Sequence, residues 1–504
     1  MSSLRTIDPT TTAEITPSLD EARALAREHN VIPLTYTFID DCETPVSAFL
    51  KLRGSGPAFL LESAEQGLRF GRWSFIGVRP RAQIVLRDGA LTIDGQQREF
   101  DDPYRAVAAE VGRYSQAPLP GLPPFTGGAV GLFGYDLVRH VEPLGGPNPD
   151  PVGLPDLALV ITGSLVAFDH LNHRTTILSN IFLEDDAGAE GIEAAYAGAV
   201  ETIDEIRAAL AAAVPPAHHA AGEPAAFTSN LGHDGYSNAV EKIKEYVRAG
   251  DAFQVVPSQR WSGPCPADPF SIFRGLRTVN PSPYMYFLEF ADFAVAGASP
   301  EPLVKVTGRH AEYRPIAGTR PRGSTAEEDI RLAQELLDDD KERAEHVMLV
   351  DLGRNDLGRA CEYGSVQVDE LMQVETYSHV LHIVSSISGT LREGQSAIEL
   401  LRACLPAGTL SGAPKVRAMQ IIDELEPHKR GAYAGAVGYL SFNGDLDTCI
   451  VIRTVVVKDG VAHVQAGGGI VVDSDPQTEV EETIHKSAAV FKAIELAVAQ
   501  EDWA

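Results

Sequence analysis

From Val31 onward the chain shows short β-branched and aromatic runs punctuated by Gly, Asp and Pro. Such a pattern predicts strands at FLLES (59–63), RWSFIGV (72–78), AQIVLRDGALTIDG (82–95) and LALVITGSLVAFD (157–169). Asp88-Gly89 suits a tight turn with positive φ, so the third run folds back as a hairpin. Residues 1 to about 30 lack the pattern and read as an arm ending in a short helix. A helical stretch over 189–213 gives way to VPPAHHAAGEPAAF (214–227), rich in Pro and Ala and without periodicity. The expected organisation is an arm (1–30), an N-terminal domain (31–213), a linker (214–230) and a C-terminal domain (231–504).

Beyond Thr228 an amphipathic helix is expected over EDIRLAQELLDDDKERAEHVML (328–349). Hairpin-like strands follow in TCIVIRTVVVKDGVAHVQAGGGIVV (448–472), where Asp459-Gly460 separates two alternating runs. The ordering is α+β with antiparallel pairing, not regular βαβ alternation. No fixed-period repeat is present.

At 504 residues the chain is too long for one ordinary domain. Its 42 Lys and Arg against 70 Asp and Glu give a formal net charge of −28. A field of that sign repels nucleic acid and anionic membranes. An anionic substrate would need local Arg, Lys, backbone N–H groups or a metal to override it. The five cysteines are scattered and include no C-x-x-C pair, which argues against a disulfide framework or structural zinc and for a reducing cytoplasm. The N-terminus has no apolar signal region, and no run reaches the roughly 20 apolar residues of a membrane span.

Several residues have chemistry to offer. Glu345 sits where a helix enters an apolar stretch, and Glu482 lies beside an expected buried stripe of Val480, Ile484 and Phe491. Two carboxylates from distant segments suit Mg²⁺, which keeps positions open for substrate oxygens. Lys486 shares a helical face with Glu482, so a solvated i,i+4 ion pair is the alternative. QAGGGIVV (465–472) lets backbone N–H groups turn toward an anion. Arg453, alternating with Val451 and Val455, is expected on an otherwise apolar strand face, where it needs an anionic partner, either a ligand or a buried carboxylate. LPAGTLSGAPK (405–415) lacks nucleotide-loop spacing but offers hydroxyls and backbone donors. His379 and His382 have i,i+3 spacing without a third ligand nearby, which favours buried hydrogen-bonded histidines. Glu301 follows Pro300 at the end of an apolar run, where catalytic carboxylates often sit.

Taken in order, DAFQVVPSQR, NPSPYMYF, GASPE, PIAGTRPRG, AEHVMLVDLGRNDLGR, HVLHIVSS, PAGTLSGAPK, CIVIRT, QAGGGIV and the terminal EET-x-x-K resemble the chorismate-utilising enzyme family over about residues 231–490. LLESAEQGLRFGRWSFIG is similar to the amino-terminal domain of anthranilate-forming large subunits. The family's isochorismate and salicylate synthases carry Lys where this chain has Gln254. Aminodeoxychorismate synthases read P-I-K-G-T where this chain has Ala317 between Ile316 and Gly318. Both positions favour the anthranilate-forming branch. The alternatives are an enzyme that stops at an amino intermediate and a non-catalytic tryptophan-binding regulator.

The resemblance implies a large two-layered α/β sandwich of antiparallel sheets flanked by helices. It implies Mg²⁺ held by Glu345 and Glu482, and chorismate bound by Gly318, Thr319, Tyr433, Arg453, Gly467, Gly468, Gly469 and Lys486. Glu301 is implied as the general acid for the leaving C4 hydroxyl, His382 matches a histidine associated with the elimination of pyruvate, and Thr409 lies in the matching substrate loop. Leu61, Glu62, Ser63, Pro283, Tyr284, Met285, Val437 and Tyr439 match a tryptophan inhibitor site, with Glu62 and Ser63 expected to meet the amino-acid head. No cysteine sits in the nucleophile elbow of a glutaminase, so ammonia from glutamine requires a separate amidotransferase subunit. The resemblance implies a heterotetramer of two large and two small subunits.

Overall fold

Strand side chains point alternately to opposite faces, and in this protein both faces are apolar. The computed structural model describes residues 14–63, 71–184, 188–215, 226–376 and 380–499. His379, most of the expected linker and the first part of the expected arm lie outside the described residues. Phe59, Phe75, Leu165 and Val295 of one sheet face Val130, Leu132, Ala158 and Val437 of a second sheet. Their neighbours Leu60, Ile76, Val166 and Ala296 pack outward against the helices Pro45–Leu52, Ala189–Leu210, Pro269–Val279 and Pro476–Ala499. On the far side of the second sheet, Ala129, Phe133, Leu157 and Leu159 pack against Pro103–Val111, Asp340–Gly358 and Ala397–Cys404. The result is the expected sandwich of two antiparallel sheets with helices on both outer faces.

Among the described residues the sheets have 11 and 12 strands. Both draw strands from before and after the 214–230 segment. Ala58–Glu62 pairs with Tyr284–Glu289 in the first, and Gly128–Phe133 pairs with Ala436–Ser441 in the second. The predicted hairpins are present. Asp88 and Gly89 take φ of 51° and 75° between paired Arg87 and Ala90, and Asp459 and Gly460 take 51° and 72° between Lys458 and Val461.

Three local expectations fail. The helix expected over 328–349 is two helices, Ala326–Asp338 and Asp340–Gly358. Asp339 breaks it by accepting from the N–H groups of Lys341 and Glu342, since a short carboxylate competes with helical hydrogen bonds. Nor is Arg453 a strand residue on an apolar face. Leu446–Ile450 belongs to the 12-stranded sheet and Thr454–Lys458 to the 11-stranded one. The chain changes layers between them, with Arg453 at φ 52°. Finally, Ile484 is half exposed, whereas Val480 is buried as expected. Among the described residues no helix is long and apolar enough to cross a membrane.

Candidate active site and interlayer cavity

The layer change delivers Arg453 to the last helix, where its Nη1 donates to the carbonyl of Lys486 at 2.9 Å. Burial lowers the guanidinium's pKa, while the negative charges of Glu482 and Glu301 oppose that shift. Lys486 Nζ in turn donates to Gly467 O at 3.0 Å and pairs with Glu482 Oε1 at 2.6 Å. The i,i+4 ion pair read from spacing therefore exists, but it faces the glycine turn.

A side chain at any of the three glycines would meet a close neighbour, which is backbone at Gly467 and a movable side chain at Gly468 and Gly469. A Cβ on Gly467 would lie 2.2 Å from Pro257 O and 3.0 Å from the Tyr433 hydroxyl. One on Gly468 would lie 3.1 Å from Glu479 Oε2 and 3.2 Å from Glu482 Oε1. One on Gly469 would sit 2.5 Å from Gln254 Nε2. Gln254 Nε2 donates to Glu345 Oε1 at 2.9 Å, which links Glu345 on its own helix to the same turn.

These carboxylates bear on the implied metal. Among the described residues no three His, Cys, Asp or Glu side chains form a ready-made cation cage. Mg²⁺ binds through one or two carboxylates and completes its shell with water and substrate oxygens. Glu479 Oε2 is buried without a hydrogen-bond partner among the described residues. Burial raises the pKa of Glu479, and the like charge of Glu482 adds to the shift. An orphaned carboxylate oxygen beside Glu482 fits a nearby hard cation. Glu479 was missed from sequence because nothing there sets it apart from Glu481 or Glu482.

Glu301 follows strand Phe293–Ser299 and accepts from Thr409 Oγ1 at 2.9 Å. Burial pushes its pKa up to about 7, against the hydrogen bond from Thr409 and the charges of Lys486 and Arg453. Protonation near neutral pH suits a general acid. His382 lies opposite Thr319 in the strand pair, beside a bulge at Gly318, whose φ is 65°. His382 Nδ1 is 3.0 Å from Gly318 O and 3.1 Å from Thr319 Oγ1. A carbonyl only accepts, so Nδ1 carries the hydrogen and Nε2 is the basic nitrogen of the neutral ring. Burial lowers the pKa of His382. Arg453, Glu482, Lys486, Gly467, Tyr433, Glu301 and Thr409 form one constellation, joined to Glu345 through Gln254. The field of Arg453 also reaches His382.

A cavity of about 810 Å³ lies elsewhere, between the sheets. All eight residues matched to the inhibitor site line it: Leu61, Glu62, Ser63, Pro283, Tyr284, Met285, Val437 and Tyr439. Ser63 Oγ is buried there without a partner among the described residues. Glu62 shares the helix-facing side of its strand with Leu60, and its carboxylate takes Arg277 Nε at 2.8 Å. The wall contains another carboxylate, Asp447, which accepts from Tyr284 Oη at 3.0 Å. Burial raises Asp447 to about 6. Asp447 alternates with Thr448 and Cys449 in an ordinary strand, so no sequence signal marked it.

Comparison with known proteins assigns the chain to a family. A family model described as chorismate binding enzyme matches residues 56–492, a span that contains every site residue named above. Anthranilate synthase component 1 of Pseudomonas putida is 49% identical over 488 residues, covering 94% of this chain and 97% of that protein. The protein of the same name from Pseudomonas aeruginosa is 50% identical over 483 residues, with 94% and 98% covered. The crystal structure of anthranilate synthase component I from Streptococcus pneumoniae TIGR4 matches at a TM-score of 0.74 and 38% identity, covering 90% of this chain and 99% of that one. With half of all residues shared across nearly the full length of such relatives, the chain belongs to the chorismate-binding enzyme family.

Proposed function

We propose that this chain is the large subunit of an anthranilate synthase, converting chorismate and ammonia to anthranilate and pyruvate in the cytoplasm. The observation that carries the reading is the buried carboxyl of Glu301, bonded to Thr409 at 2.9 Å beside the charges of Arg453 and Lys486, where burial raises its pKa. Arg453, Tyr433 and the N–H groups of Gly467–Gly469 bind the substrate carboxylates, which the acidic protein would otherwise repel. Glu301 gives its proton to the C4 hydroxyl, which leaves as water while ammonia bonds to C2. Nε2 of neutral His382 is suited to take the C2 proton as the C3–O bond breaks. The enolpyruvyl group then departs as pyruvate and the ring becomes aromatic. When bound, Mg²⁺ held by Glu345 and Glu482 would neutralise the ring carboxylate of chorismate.

In this reading the ammonia comes from glutamine through a separate amidotransferase subunit, in a heterotetramer of two large and two small subunits. The reaction is the first committed step of tryptophan biosynthesis, and tryptophan in the interlayer cavity inhibits it. The test supplies purified chain with chorismate, Mg²⁺ and ammonium, and follows anthranilate fluorescence and pyruvate. Both products, lost on chelation, support the reading. Chorismate consumed without either product means an enzyme that stops at an amino intermediate. No consumption by folded protein favours a regulator.

A further inference from the structure

Arg430 and Glu426 form an ion pair that is 4% and 5% exposed. Arg430 Nε donates to Glu426 Oε2 at 2.9 Å, and Nη2 to Oε1 at 2.5 Å. Its other bonds leave the pair: Nη1 donates to Leu410 O at 2.8 Å and Nη2 to Val256 O at 2.7 Å. The guanidinium also lies over the rings of Tyr135 and Tyr433, at 4.8 and 5.5 Å from their centroids. Glu426 Oε1 accepts from both N and Oγ of Ser258, at 2.8 and 2.9 Å.

Three of these contacts end beside a site group. Leu410 follows Thr409, the partner of Glu301. Val256 is two residues from Gln254, the partner of Glu345. Tyr433 faces Gly467. A buried ion pair commonly contributes no more stability than a well-packed apolar pair. The three segments it ties together therefore account for it better than stability does.

We infer that Arg430, fixed in place by Glu426, is a positioning residue that holds the Thr409 turn (Gly408–Ser411), the Gln254 strand and Tyr433 in register with one another. The catalytic part of this inference rests on the role proposed for Thr409. Lysine cannot replace Arg430, because a single ammonium does not span the carboxylate and both carbonyls as the planar fork does.

The test compares the wild type, Arg430→Lys, Thr409→Val and the double variant, each checked for folding by its thermal midpoint. Arg430→Lys should lower kcat/KM for chorismate by about tenfold or more, and by clearly less in the Thr409→Val background, because both changes act on one contact. Backbone hydrogen exchange over 408–412 should quicken in Arg430→Lys irrespective of turnover. If Thr409→Val retains full activity, the role of Thr409 is wrong, and the exchange over 408–412 still decides the anchoring. If Arg430→Lys does not fold, Glu426→Gln with Arg430→Met removes both charges and keeps an acceptor for Ser258, and the same two readouts apply. Multiplicative losses with unchanged exchange over 408–412 would overturn the inference. So would wild-type kcat/KM in a folded variant, or failure of both constructions to fold, which would make the pair a requirement of folding.

Discussion

Thr409 donates its hydroxyl hydrogen to Glu301 across 2.9 Å, from a single helical turn, Gly408–Ser411, more than 100 residues away in sequence. The bond favours the ionised carboxylate, yet burial still pushes Glu301 up to about 7. If Glu301 acts as the acid, only its protonated form is active, so the rate at fixed free ammonia should fall as pH rises through about 7. Thr409→Val removes a contact that favours ionisation. Its maximal rate should fall, and its alkaline limb should move to higher pH. A pH profile of anthranilate formation checks both, and a limb that moves to lower pH would contradict the assignment.

Gly469→Ala should separate binding of the metal from folding. The added methyl group would sit 2.5 Å from Gln254 Nε2 and push that side chain away from Glu345. The expected outcome is a folded protein that needs more Mg²⁺ for half-maximal activity. Magnesium titration of the rate, alongside circular dichroism, measures it.

Arg453→Gln removes the only charge change proposed to act directly on a substrate carboxylate from the layer crossing. A hydrogen bond to a charged group contributes about 1.5–3 kcal/mol, so the KM for chorismate should rise roughly 10- to 100-fold. Arg453→Lys should recover only part of the loss, because the bidentate fork is missing. Initial-rate kinetics over a range of chorismate concentrations distinguish this from a loss confined to kcat.

Asp447 and Glu62, two of the carboxylates that line the interlayer cavity, should behave differently. Asp447→Asn removes the charge on the wall, and should weaken inhibition by tryptophan while basal turnover persists. Glu62→Gln leaves Arg277 poorly paired on the helix-facing side, so its principal effect should be a lower thermal midpoint. Ser63→Arg should fill the cavity and abolish sensitivity to tryptophan. Inhibition curves and thermal midpoints for the three variants test this division, and unchanged inhibition in Ser63→Arg would remove the cavity from regulation.

Local rules made much of the fold legible. Asp-Gly pairs marked both hairpins because their φ requirements depend on only two residues. The alternation of apolar residues marked strands such as Trp73–Val78, but it could not show that both faces would be buried. The turn at Arg453 was hidden because VIRTVVV alternates well enough to read as one strand. Only the two sheets, built from distant segments, reveal that its halves belong to different layers. The site was legible mainly through ordered motifs. Glu479 and Asp447 were not, because each acquires its significance from neighbours far away in the chain.

The crossing at Arg453 has a mechanical consequence. Leu446–Ile450 supplies Asp447 and Cys449 to the wall of the interlayer cavity, and three residues after Ile450 the same chain presents the guanidinium to the site. A molecule wedged between the layers would press on the segment that aims Arg453. Any shift of one sheet against the other would be taken up across Val451–Arg453, the short span that joins the two layers there.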